Sequence, residues 1–155
     1  MPMTLHNPSL APEFSQTTWT FVFSAWLVAG VSTLGALFFS EVMQLPICVL
    51  CWYQRIFMFP LALILPLGLF PFDAKVIRYA MALAVPGATV ALFQLLLVAG
   101  VIPESIKPCS VGVPCSVTVI EWFGFLTIPL LSLLAFSCIA ALLLVAHFQP
   151  LLTSK

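Results

Sequence analysis

The chain is 155 residues long, 63% hydrophobic and only 6% charged, with a formal net charge of zero. An ordinary soluble domain carries roughly 25% charged residues, so this composition excludes a soluble protein, which could not cover its surface with polar groups. The sequence shows no basic patch either, which gives no reason to expect nucleic acid as a partner.

Residues 1–16, with Pro2, Pro8 and Pro12, are expected to form a poorly ordered tail. A membrane helix needs about 20 mainly apolar residues, and four such runs follow. The first extends from about Thr17 to Ser40 without a charge. It is too long for a signal-peptide core and lacks a basic leader, so it is expected to stay in the mature protein. Glu41 to Leu50 connects it to a second span, from about Cys51 to Phe70. That span carries Arg55, Pro60 and Pro66. Its prolines require neighbouring helices or water to satisfy the carbonyls they free. Pro71 to Ala74 is a tight turn. The third span, about Lys75 to Val101, holds Arg78 near its start, Pro86-Gly87 as an expected kink, and Gln94 in an apolar surround. Ile102 to Glu121 leads to the fourth, about Trp122 to Phe148, where Pro129 is expected to bend the helix and Trp122 to anchor it at the interface. The reading is an all-α, polytopic membrane protein: a four-transmembrane-helix bundle in the lipid bilayer, forming a single integral membrane domain.

An even number of spans puts both ends on one side. Lys75, Arg78 and Lys155 share that side, whereas the opposite loops carry only Lys107. The positive-inside rule assigns the richer side to the cytoplasm. Both paired sets of cysteines, Cys48/Cys51 and Cys109/Cys115, then lie outside it, where disulfides persist.

Cys48-Val49-Leu50-Cys51 opens the second span, and Arg55 follows four residues after Cys51. Pro46 cannot continue a helix from before it, so the helix is expected to start near the pair. The partial positive charge of a helix start raises the thiolate fraction. On a helix, Cys51 and Arg55 share one face, and an arginine at that depth is costly. Taken alone, the pair fits either a redox dithiol or a plain disulfide beside a snorkelling arginine. Cys109 and Cys115 flank a Pro/Gly turn with five residues between them. A bond there gains only about 2 kcal/mol from loop closure. It fits a loop staple, or an exposed disulfide open to exchange with an outside thiol. Gln94 is expected to face the bundle interior, bonded to a neighbouring helix or to a ligand carbonyl. Cys138 reads as a small buried hydrophobe. His6 and His147 have no ligand neighbours at metal spacing.

Cys48-Val49-Leu50-Cys51-Trp52-Tyr53-Gln54-Arg55 resembles the signature of the DsbB-type disulfide bond formation proteins. Cys109 to Cys115, followed by Glu121-Trp122-Phe123-Gly124-Phe125 and Thr127-Ile128-Pro129-Leu130, is similar to the shorter BdbC branch of that family. The resemblance implies a four-helix membrane bundle of the bacterial cytoplasmic (inner) membrane. Such a protein reoxidises an extracytoplasmic thioredoxin-fold dithiol oxidase, of the DsbA or BdbD kind, and passes the electrons to a membrane quinone, ubiquinone or menaquinone. Carried onto this chain, Cys109 and Cys115 form the disulfide that the partner attacks, with Cys109 giving the mixed disulfide. Cys48 and Cys51 form the quinone-proximal pair. Cys51 meets the quinone as a thiolate, Arg55 stabilises that complex, and Gln94 lies near the ring. The second extracytoplasmic loop is shorter than in the long-loop branch, which leaves open whether Cys109 or Cys115 meets the partner. In vitamin K epoxide reductases the loop cysteines precede the Cys-x-x-Cys; here they follow it. The rival reading from another class is a non-catalytic membrane protein holding a metal in a tetrathiolate site.

Overall fold

The computed structural model describes residues 16–71, 73–103, 121–122 and 126–152. The tail expected over residues 1–16 lies, but for Gln16, outside the described residues. So does the loop carrying Cys109 and Cys115. The elements are α1 (Gln16–Leu37), a π turn (Phe38–Val42), α2 (Val49–Leu69), α3 (Lys75–Val98), two short strands β1 (Glu121–Trp122) and β2 (Leu126–Thr127), and α4 (Ile128–Leu152). Among the described residues, four helices are long and apolar enough to cross a membrane: α1 with its π turn, α2, α3, and α4 as far as Phe148.

The helices close a ring. α1 and α3 each pack against both α2 and α4. Residues at helical spacing meet inside it: Val22, Ala25 and Ala29 from α1, Leu61, Leu65 and Leu69 from α2, Ala80, Ala84 and Ala91 from α3, and Phe136, Ile139 and Leu143 from α4. Alanines on α1 and α3 let the backbones approach closely, the usual device where lipid removes the hydrophobic drive between helices. Leucine, valine and phenylalanine are exposed on the outside, as at Val31, Leu34, Leu63, Leu67 and Leu134, a surface that suits acyl chains.

Proline and glycine shape the ring. Pro66 has no N–H for the carbonyl one turn back, and Trp26 Nε1 on α1 donates to that Ala62 carbonyl at 3.1 Å. The neighbouring helix thus satisfies a freed acceptor, as the sequence required. Beside Pro86, Gly87 leaves room for the Phe136 ring, which a Cβ there would overlap. Between α2 and α3, Asp73 Oδ1 accepts from the Lys75 N–H at 2.9 Å, an Asx turn that starts α3.

Three expectations change. The third span was expected to reach Val101 but stops at Val98. Gly100 takes φ +73°, Gly100 N–H donates to Leu97 O, and Val101 N–H donates to Leu96 O, which is a Schellman ending. The fourth helix begins at Ile128 rather than near Trp122, because Glu121–Trp122 pairs antiparallel with Leu126–Thr127. Pro129 therefore sits in the first turn, where its missing N–H costs nothing, and it starts the helix instead of bending it. Cys138, expected to be buried, is exposed, since Phe136 and Ile139 take the inward face of α4.

Candidate functional site

α1 does not end as a plain α-helix. Its last turn widens into the π turn, with Met43 N–H bonded to Phe38 O, and Gln44 then takes a left-handed φ of 51°. A non-glycine residue there stores about 1–3 kcal/mol of strain, a cost that clusters at functional sites. The chain reverses through Leu45-Pro46-Ile47 and enters α2.

Cys48 is the N-cap of α2, extended at φ −78° and ψ 162°. Cys51 is the third residue of the first turn. An N-cap side chain and the one three residues on face each other, the arrangement a capping box uses. Here that geometry brings the two sulfurs to 3.2 Å. Cys48 is buried and Cys51 partly so. The Cys48 thiol is lowered to about 6 by its hydrogen bond with Cys51, helped by first-turn backbone N–H groups and opposed by burial. The more acidic position is thus the N-cap, one turn before the thiolate that the resemblance implied at Cys51.

Gln94 reaches the pair from α3. Its Nε2 lies 3.3 Å from Cys48 Sγ and 3.4 Å from Cys51 Sγ. Its Oε1 accepts from Gln54 Nε2 at 2.6 Å and lies 3.8 Å from Cys51 Sγ. Both glutamines are buried. Gln94 therefore faces inward as expected, and it serves a neighbouring helix and the thiols at once. Gln54 was not singled out from the sequence. The available signal was a second uncharged polar residue inside an apolar span, one turn after Cys51.

Arg55 Nη2 donates to the Ala36 carbonyl at 2.7 Å, in the last α turn of α1 before the π turn. Its guanidinium carbon lies 5.5 Å from the Trp52 ring centre, a cation–π contact. Ser40 Oγ donates to the same carbonyl at 3.1 Å. The costly charge is thus held by a backbone oxygen and an aromatic face.

These groups border a cavity of about 260 Å³. Its apolar wall comes from α1, the α1–α2 connection, α2, α3 and α4, with Phe39, Met58, Phe59 and Phe136 among the lining residues. Its polar lining consists of the two thiols, Gln54, Gln94, Arg55, Ser32 and Ser132. Among the described residues, no three His, Cys, Asp or Glu stand together as a metal site. The tetrathiolate alternative would need Cys109 and Cys115, which lie outside the described residues. An apolar chamber with a few convergent polar groups has the form of a small-molecule site.

The bundle and its cavity define a multi-pass membrane protein with a dithiol at one helix start. Residues 16–146 match the family model described as "Disulfide bond formation protein DsbB". This chain belongs to the DsbB family and is a membrane disulfide oxidoreductase. It is 47% identical over 135 residues to a "Probable disulfide formation protein" of Metapseudomonas resinovorans, covering 86% of this chain and 94% of that one. It is 47% identical over 118 residues to "Disulfide bond formation protein C" of Bacillus subtilis, covering 75% and 84%. A "Probable disulfide formation protein" of Deinococcus radiodurans is 44% identical over 133 residues, covering 80% and 86%. No solved structure matches the chain.

Proposed function

We propose that this protein is a protein-dithiol:quinone oxidoreductase, which reoxidises an extracytoplasmic thioredoxin-fold dithiol oxidase and passes the electrons to a membrane quinone. The observation that carries this reading is the 260 Å³ cavity bordered by Cys48, Cys51 and Arg55 inside the bundle. The lining fits a quinone. Its walls are apolar, its polar groups are mainly donors, and among the described residues neither Asp nor Glu lines it to repel a ring that gains electron density. Arg55 and Gln94 would hold the carbonyl oxygens, and Cys51 would face the ring. A bound quinone supplies a sink for two electrons and two protons.

The rest falls to the chain's own residues. The partner's thiolate attacks Cys109 of a Cys109–Cys115 disulfide, forming the mixed disulfide and releasing Cys115 as thiolate. The partner's second thiol then displaces Cys109, leaving the loop as a dithiol and the partner oxidised. The loop dithiol reduces the Cys48–Cys51 disulfide by the same exchange. Both cysteine loops face away from the cytoplasm, in keeping with Lys75 and Arg78 at the opposite end of the bundle.

The experiment is a turnover assay with purified protein, a reduced thioredoxin-fold oxidase, and ubiquinone or menaquinone. Cys48→Ala and Cys51→Ala should each abolish quinone reduction. Normal turnover in either variant would sink the proposal.

A further inference from the structure

The two ends of a glutamine amide are nearly the same size, so the shape of its slot does not decide which end faces a neighbour. At Gln94 the choice matters. One end faces two sulfurs, one of which carries negative charge once the dithiol loses a proton. A donor there stabilises the charge, whereas a carbonyl oxygen would repel it. Gln54 breaks the tie. Its Nε2 lies 2.6 Å from Gln94 Oε1. With Gln54 in that orientation, turning the Gln94 amide over would press two NH2 groups together in a buried site and bring against both sulfurs an oxygen that now lies 3.8 Å from Cys51 Sγ alone.

We infer that Gln54 is a positioning residue: by fixing the direction of the Gln94 amide, it keeps one N–H donor aimed at both sulfurs of the Cys48–Cys51 pair. The inference rests on reading those two cysteines as a redox pair. Gln94 Nε2 is nearly equidistant from the sulfurs, at 3.3 and 3.4 Å. The charge can therefore change sulfur without losing its donor. The proton shared across 3.2 Å moves the other way, breaking one S–H bond and forming the other. Cys48 at the N-cap and the Cys51 that the proposed function turns toward the ring thus share one donor. An amide suits the task because it does not titrate. Among the described residues, Arg55, on α2, is the only charged side chain lining the cavity. Apart from Cys48 and Cys51, no titratable group of α1, the α1–α2 connection, α3 or α4 lines it among the described residues.

The test is site-resolved alkylation of the reduced full-length protein across pH, read by mass spectrometry at Cys48 and Cys51. Gln54→Met removes the donor without adding charge, and Gln54→Asn keeps an amide that is too short to reach. Each should raise the Cys48 midpoint by about one pH unit, the loss expected of one charge-assisted hydrogen bond. Gln94→Leu should raise it at least as far. Elution as a single folded species qualifies each variant, and Gln54→Asn carries the test if Gln54→Met does not fold. An unmoved midpoint in the folded Gln54 variants, with a raised one in Gln94→Leu, would overturn the positioning role. An unmoved midpoint in Gln94→Leu would overturn the donor role. Because alkylation needs no quinone, shifted midpoints in a protein that fails to reduce quinone would sink the proposed function and leave this inference standing.

Discussion

At Cys48 the N-cap, the shared proton and burial act on one sulfur, and the first two outweigh the third. A lowered thiol is ionised above its own midpoint and protonated below it. Cys48 should therefore alkylate rapidly from about pH 6 upward, where an ordinary thiol needs about 8.5. A rate profile against pH with iodoacetamide checks this, and its reactivity should fall away below about 6. Arg55 presents a second balance. Its bond to the Ala36 carbonyl and the Trp52 face offset the cost of holding a charge at the membrane edge. Arg55→Ala should raise KM for quinone by roughly ten- to a hundredfold, the range of a charge-assisted hydrogen bond of about 1.5–3 kcal/mol. Arg55→Lys should recover only part of this, because lysine lacks the planar fork that serves a carbonyl and a ring together. Steady-state kinetics with saturating partner would measure both.

Between helices, the exchange of Pro66's missing N–H for Trp26's indole N–H yields a coupled prediction. Trp26→Phe leaves the Ala62 carbonyl without a donor and should cost about 1 kcal/mol or more in denaturant unfolding in detergent. In a Pro66→Ala background, residue 66 regains its own N–H, and the same substitution should cost much less. A double-mutant cycle reads that difference. This pairing also marks how far the sequence could be read. Apolar length and proline identity announced four spans and a need for outside donors, because both follow from local chemistry. The partner Trp26 lies 36 residues away and needed the packed bundle to identify it. The same holds at the site. Cys48, Cys51 and Arg55 were legible because their spacing is local to one helix. Gln54 became meaningful only when α3 brought Gln94 to it. The outward face of Cys138 was hidden because α4 is apolar all round, so no polar stripe marks its lipid side. The late start of α4 was hidden because a two-residue strand pair leaves almost no compositional trace.

For the whole bundle, the ring of four helices means that no single helix owns the cavity. The wall opposite the dithiol belongs to α4, through Leu131, Ser132, Ala135 and Phe136. Ala135→Phe should fill part of the chamber from that side and raise KM for quinone about tenfold. Thiol exchange between the partner and the chain should stay near its normal rate in a quench assay of the mixed disulfide. Slowed exchange instead would mean that the substitution had disturbed the dithiol itself. The same division has a consequence for biogenesis. A ribosome delivers α1 and α2 first, and Trp26 can grip α2 while the rest is still being made. The chamber gains its closing wall only when the last helix inserts. Up to that moment the nascent chain carries Cys48 and Cys51 beside an unfinished chamber, so on the proposed function its oxidising power should switch on when α4 inserts rather than accumulate before it.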